Sequence, residues 1–355
     1  MSILDWIRLT IFSWGYRVAR VLISAGVSFF QRFSGKPQDF EAVILTGHRL
    51  LKWASRWANG FFFFSIPQGL SVSVYHLKFP SPIILAAFEG DLDVVEAWQK
   101  FGLGAVTLKT VLTQPRVGNA RPRIQKIQTD LGEGLINAMG LPSKGVDYFC
   151  DHASDLDRFP TDRPLGISIG GHSPDEYYST ICRVMDLHLT RPFFLEINIS
   201  CPNTAEGQDM LKNPDLLSGL LTRVRQVYPD VVLSVKLSPD QSDDRLLHFG
   251  QLCTAFKWMC LTLGNTQYRT CESVGLLKQN ISIGGGGMSG PLLFDRTLHM
   301  VKLLAPLGLP IIAVGGIHSV GQIQQLHSAG ATLFGMATAI VQDPYRVPKI
   351  LRQLS

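Results

Sequence analysis

The residues best placed to do chemistry in this chain stand where short apolar runs break off. The run FFLEINIS (193–200) gives way to Cys201, Pro202 and Asn203, so a thiol follows a strand that polar turn residues alone could have closed. The other run ends add Lys109, Asn198, Ser200, Lys236, Asn265 and Thr266, then two glycine clusters, GGGGMSG (284–290) and VGGI (314–317). Two ammonium groups, three amides, a thiol and exposed backbone N–H groups suit a planar polar heterocycle together with a phosphate. No histidine falls at these ends, which argues against a hydrolase triad, where an imidazole must relay the proton.

Lys236 lies inside an apolar run, between Val235 and Leu237. A buried ammonium needs an acceptor, and along the chain the next acid after it is Asp240. Either a bound electron-rich ring supplies the acceptor or the side chain snorkels to the rim. Gly315-Gly316 and Met336-Ala337-Thr338 close the last two runs, and small residues there let backbone N–H groups approach a phosphate. Tight turns are the plainer explanation of a lone glycine pair; the position in the chain favours phosphate.

The elements that must hold these residues repeat one theme from residue 82 onward: a β-branched run, a polar or glycine-rich turn, then a helical stretch. Eight such runs occur, at 82–87, 104–110, 164–170, 193–200, 231–238, 257–265, 310–317 and 331–338. Eight strands alternating with helices predict a closed parallel (β/α)8 TIM barrel, whose chemistry gathers at the C-terminal strand ends. Helix starts are signalled by Ser173-Pro174-Asp175-Glu176 and by Asn213-Pro214, each a capping residue followed by a proline at the first helical position.

The 355 residues are 46% apolar, enough for one large α/β body. Six cysteines include no CxxC pair, which argues against zinc, an iron–sulfur centre and a disulfide framework, and for free thiols in a reducing compartment. The net charge of +5 resides in residues 1–60, where eight Lys/Arg face three acids and four of the six tryptophans cluster. This segment is too apolar for a nucleic-acid-binding arm; an anionic membrane surface fits better. The uncharged stretch between Arg20 and Arg32 is eleven residues long, short of the roughly 20 needed to span. Residues 39–58 place Phe40, Val43, Ile44, Gly47, Leu50, Leu51, Ala54 and Trp57 on one helical face, predicting an amphipathic helix that packs on the body or on a membrane. The four phenylalanines at 61–64 fall on a predicted loop, where they could line an apolar entrance.

Six strings together carry a family resemblance: GNARPRI (118–124), GLINAMGLPSKGVDYF (134–149), EINISCPNT (196–204), SVKLSPD (234–240), GGMSGPLL (286–293) and PIIAVGGIHS (310–319). In this order they resemble the dihydroorotate dehydrogenase family of FMN-dependent barrels, and the N-terminal extension is similar to that of its membrane-associated, quinone-reducing class. The resemblance implies that Cys201 is the catalytic base and that Lys109, Asn137, Asn198, Asn203, Asn265 and Thr266 bind the pyrimidine. It implies a flavin site of Ala86, Ala87, Lys109, Thr110, Ser168, Asn198, Lys236, Ser289, Gly290, Gly315, Gly316, Ala337 and Thr338, with Lys236 at the N1/C2-carbonyl edge of the ring. Oxidising dihydroorotate to orotate removes a proton from one ring carbon and a hydride from its neighbour. A thiol with an ordinary pKa of ~8.5 needs little help to take that proton, and amides that fix the ring contribute orientation.

The chain departs from the family pattern in four places. Quinone-reducing members usually carry serine as base, where Cys201 stands here. Phe88 follows Ala86-Ala87 where a glycine is general, so a remodelled flavin edge is expected. Ser168 replaces an asparagine, and the lid segment TAEGQDM (204–210) is unusual. The expected organisation is an N-terminal helical module for membrane association and quinone access (1–66) and an FMN-binding barrel (67–355). The expected partners are a dihydroorotate-like molecule, a quinone and a membrane bound peripherally, either an inner membrane facing the cytoplasm or a mitochondrial one; no nucleic acid, metal or iron–sulfur centre is expected. Two other readings stay open: an FMN oxidoreductase acting on another dihydropyrimidine-like cyclic amide, and a flavin-binding barrel without turnover.

Overall fold

The computed structural model describes residues 3–57, 62–200 and 208–355. Eight parallel strands close on themselves in chain order: β1 (Ile83–Leu85), β2 (Ala105–Val111), β3 (Leu165–Ile169), β4 (Phe193–Asn198), β5 (Leu233–Leu237), β6 (Met259–Leu263), β7 (Ile311–Val314) and β8 (Leu333–Met336). Each of the eight apolar runs marked in the sequence coincides with one of them, β2 running one residue further, to Val111. The helix signals hold as well. Ser173 Oγ accepts from the Glu176 N–H at 3.3 Å, and Glu176 reaches back to the His172 N–H at 2.8 Å. Asn213 Oδ1 accepts from the Asp215 N–H at 3.2 Å.

Side chains two apart along a strand share a face, and this period sorts the barrel interior into layers. At the N-terminal end Phe194, Val232, Cys260, Ile312 and Leu333 form an apolar cluster with Val74, Leu77 and Phe79 of a short hairpin (Val72–Val74 and Leu77–Phe79). The Phe79 and Phe194 rings lie 6.3 Å apart, and the Tyr75 hydroxyl donates to the Met259 carbonyl at 2.6 Å. The hairpin therefore seals this end from water. One step up each strand the buried residues turn polar: Thr107, Ser168, Glu196, Ser234 and Thr262, with Ser234 and Thr262 hydroxyls 2.7 Å apart.

Two helices precede the barrel, α1 (Ile3–Phe33) and α2 (Glu41–Trp57), the second at the predicted place. No described helix is long and apolar enough to cross a membrane. The predicted stripe on α2 divides. Val43 and Leu51 are buried, whereas Leu50 is 48% and Trp57 79% exposed, so part of the stripe packs inward and part faces out. On α1, Leu9 joins the main core, and the buried Ser13 hydroxyl donates to Asp343 at 2.6 Å. Of the four adjacent phenylalanines, Phe62 and Phe64 are buried and Phe63 is exposed; Phe61 lies outside the described residues.

Ion pairs stitch these helices to a four-stranded antiparallel sheet that flanks the barrel, formed by Ile124–Thr129, Gly132–Asn137, Gly285–Ser289 and Gln267–Thr270. Arg123 grips Glu41 through two nitrogens at 2.8 and 2.9 Å, Arg121 pairs with Asp39, and Glu133 takes both Arg20 and Lys126. Burial opposes ionisation of Glu41 and Glu133, but the hydrogen bonds and charges of their cationic partners outweigh it and hold both carboxyls below the ordinary 4.5. Their contribution is complete above the unfolded value and lost as pH falls through the lowered folded values. Proteolysis in the segment after α2 should accelerate below about pH 4, and Glu41→Gln should weaken that dependence. Cleavage that is independent of pH would show that these carboxylates do not hold the helices.

Candidate functional site

Above the polar layer, at the C-terminal ends of the strands, a hydrogen-bonded chain links four strand ends. Ser168 of β3 and Thr110 of β2 share a hydroxyl contact of 3.0 Å. Asn198 at the end of β4 donates to Thr110 Oγ1 at 2.9 Å and accepts from the Ser200 hydroxyl at 2.9 Å. Asn265, after β6, donates to Ser200 Oγ at 2.8 Å and accepts from the Thr266 N–H at 2.7 Å. The Tyr177 hydroxyl fixes the Asn198 carbonyl at 2.8 Å. Both the oxygen and the nitrogen of each amide are thereby engaged, which fixes the two side chains in orientation at the mouth.

Beside this chain opens a cavity of about 440 Å³, a size typical of sites for small molecules and cofactors. Ala86, Ala87, Lys236, Asn265, Thr266, Ser289, Gly290, Gly315, Gly316, Ala337 and Thr338 line it, so eleven of the expected site residues border one cavity. The Thr338 hydroxyl donates to Ser289 at 2.8 Å. Gly315 and Gly316 have φ of 122° and 73°, and a Cβ on Gly316 would strike the Phe294 backbone. Only glycine permits this turn.

Lys236 differs from its sequence reading. Its Nζ lies 3.3 Å from Glu196 Oε1, with both side chains buried. Adjacent strands supply the acceptor: β4 and β5 pair Glu196 with Ser234 and Asn198 with Lys236. A search along the chain toward Asp240 missed it, because the partner stands 40 residues earlier, in the motif that also carries the thiol. The period-two alternation Glu196, Asn198 was the available signal.

The first glycine cluster also differs. Gly285–Ser289 is a strand whose neighbours are Gln267–Thr270 and Gly132–Asn137, so its backbone serves the sheet more than a phosphate. A Cβ on Gly287 would collide with Thr266 Oγ1, while the Gly287 carbonyl accepts from Asn137 Nδ2 at 3.2 Å. These contacts bring Asn137 and Thr266 together.

Lys109, on β2, is half-buried. Burial lowers its pKa, Glu89 and Glu41 oppose this, and Arg123 adds to it. Phe88 borders the cavity, but its ring leans on Trp98 with centroids 5.4 Å apart. Cys201 and Asn203 lie outside the described residues; Ser200, immediately before them, is held at the mouth. Arg17 and Arg20 of α1, and Arg346, also line the cavity. Sequence reading counted the first two as surface charge and did not single out the third.

Removing Glu196 should leave Lys236 buried without its carboxylate. Glu196→Ala is expected to cost about 3–5 kcal/mol in urea unfolding, and Glu196→Ala with Lys236→Met appreciably less. Equal losses in the single and double variants would show that the pair is not coupled.

Comparison with known proteins is consistent with this geometry. The dihydroorotate dehydrogenase family profile matches residues 69–355. The chain is 28% identical over 291 residues to the catalytic subunit of dihydroorotate dehydrogenase B (NAD(+)) of Listeria innocua, covering 80% of this chain and 92% of that one. It is 31% identical over 306 residues to the dihydroorotate dehydrogenase (quinone) of Pseudomonas fluorescens, covering 81% and 85%. In fold it is similar to the DHODH of Eimeria tenella crystallised with ferulenol, with a TM-score of 0.74 over 87% of this chain and 90% of that one, at 22% identity. With a family profile spanning the whole barrel and a relative above 30% identity over most of its length, the chain belongs to the dihydroorotate dehydrogenase family.

Proposed function

We propose that this protein oxidises dihydroorotate to orotate with FMN held at the barrel mouth, and that a quinone takes the electrons. The observation that carries the reading is the hydrogen-bonded chain from Ser168 to Thr266 beside a cavity containing Lys236 and the Gly315-Gly316 turn. Its polar wall suits the ring system of FMN, and its glycine turn suits a phosphate. FMN bound there supplies the hydride acceptor. The protein's own residues do the rest. Asn137, Asn198, Asn203, Asn265 and Thr266 hold the pyrimidine edge, fixing which ring carbon faces the thiol. Cys201 takes the proton from that carbon. Lys236, held by Glu196, keeps a cation beside the flavin cavity, and the hairpin at the far end excludes water.

A second cavity, of about 210 Å³ and mostly apolar, opens between α1 and α2, where Phe40, Val43, Gly47, Leu51, Ala54 and Phe62 line it. It suits a quinone ring better than a nicotinamide dinucleotide, and its location fits residues 1–66 as the access module and 67–355 as the barrel. Outside it, Trp6, Ile11, Trp14, Leu22, Phe29, Phe30, Trp53 and Trp57 are exposed among Arg8, Arg32, Arg49 and Arg56. Aromatic and basic side chains together suit peripheral association with an anionic membrane.

Replacing Cys201 by Ala should abolish dihydroorotate-driven bleaching of the flavin under anaerobic conditions while FMN stays bound; undiminished bleaching would remove the thiol from the reaction. A Cβ at Gly47 meets nothing within 4 Å, so Gly47→Leu fills the apolar cavity at little steric cost. It should raise the KM for quinone by roughly tenfold, the scale expected of an altered apolar pocket, with ferricyanide turnover unchanged. An equal loss with both acceptors would place quinone reduction elsewhere.

A further inference from the structure

The walls of the larger cavity are not electrically balanced. Four side chains with fixed or strong positive charge line it: Arg17, Arg20, Lys236 and Arg346. Arg20 pairs with Glu133 and Lys236 with Glu196. Among the described residues, neither Arg17 nor Arg346 has a carboxylate within ion-pair distance, and each spends one donor on a carbonyl, Arg17 on Ser13 at 3.4 Å and Arg346 on His318 at 3.1 Å.

Arg346 is tied to the glycine turn. His318, whose carbonyl it bonds, contacts the Gly316 carbonyl through Nδ1 at 2.8 Å. The guanidinium is thus anchored in the loop that follows β7, beside Gly315-Gly316. Arg17 approaches from α1, and the same junction seats both: Asp343 accepts from Ser13, one helical turn before Arg17, and from the Tyr345 N–H, next to Arg346. Burial lowers the pKa of Arg346, Asp343 opposes this, and the charge of Arg17 lowers it further. Arg17 is exposed and Arg346 half-buried, and the two guanidiniums line one cavity, an arrangement that suits an anion between them. A phosphate monoester carries about −1.5 to −2 at pH 7, enough to engage both guanidiniums.

We propose that Arg17 and Arg346 form a two-guanidinium clamp on the phosphate monoester of bound FMN, so that α1 helps to retain the cofactor. This inference rests on the cavity being the FMN site. Guanidinium pairs suit phosphate because their planar forks donate two parallel hydrogen bonds. The clamp also makes helix docking and cofactor binding reciprocal: whatever loosens α1 weakens FMN binding, and bound FMN holds α1 down.

The test uses riboflavin, which shares the ring and lacks the phosphate. Full-length apoprotein, wild type and the variants Arg17→Gln, Arg346→Gln and Arg17→Lys, is titrated with FMN and with riboflavin, following the quenching of flavin fluorescence. Each Gln variant should raise the Kd for FMN by about tenfold or more and leave that for riboflavin unchanged, while Arg17→Lys retains much of the preference for FMN. Weakening of both flavins alike would reduce the two arginines to structural supports and overturn the clamp. FMN affinity that is unchanged in Arg17→Gln would also overturn it; a parallel loss of binding to phosphatidylglycerol vesicles would then assign Arg17 to lipid phosphate. Wild-type protein that takes up neither flavin would overturn the cofactor reading itself, whereas wild type that binds FMN with indifferent variants refutes the clamp alone.

Discussion

The interior of the barrel is organised by the cost of putting an ammonium ion where water cannot follow. Lys236 sits among strands that are buried on both faces, and Glu196 on the neighbouring strand offsets its charge. That pair is only tolerable because the layer around it is polar and internally bonded, with Thr107, Ser168, Ser234 and Thr262 filling the same level. Below, the aromatic hairpin plug keeps water out. Above, the amides of Asn198 and Asn265 are oriented by the Thr110 and Ser200 hydroxyls. A barrel filled with aliphatic side chains to its rim would be simpler to stabilise; this one trades part of that filling for a rigid polar floor under an open cavity.

The N-terminal helices extend the same logic outward. Their inner faces bury Leu9, Ser13, Val43 and Leu51, and their charged ends are tied to the flanking sheet by Glu41, Asp39 and Glu133. Their outer faces keep aromatic and aliphatic side chains in solvent. Two cavities border α1: the apolar one between the two helices, and the larger one at the barrel mouth, whose wall includes Arg17 and Arg20. Arg20 and Ala19 both border the apolar cavity, so α1 is the common boundary of the two. The first helix is thus less an appendage to the barrel than the partition between two cavities.

The barrel was legible because its signal is local. Each strand is an apolar run bounded by turn residues, and eight in succession admit few closures; the period-two alternation in EINIS already separates residues facing in from those facing out. The residues lining the mouth could be read from strand ends for the same reason. The Lys236–Glu196 pair could not be read by scanning along the chain, since cross-strand neighbours are set by register. Nor could the division of the α2 stripe, because periodicity reports that a face is apolar without saying what covers it. Arg17 and Arg346 are 329 residues apart and meet only through the Asp343 junction, and no local pattern marks such a pair. Gly286 and Gly287 show the same limit: their place in a strand is set by the close approach of Asn137 and Thr266, which no local pattern marks.

The proposed reaction needs a pyrimidine held between Cys201 and a flavin in the cavity lined by Lys236. The most direct measurement is an anaerobic titration of the purified wild-type protein with dihydroorotate, following the flavin absorbance and orotate formation together. The account predicts stoichiometric bleaching with one orotate formed per flavin. A flavin spectrum that stays oxidised throughout the titration, in protein that demonstrably carries FMN, would contradict it.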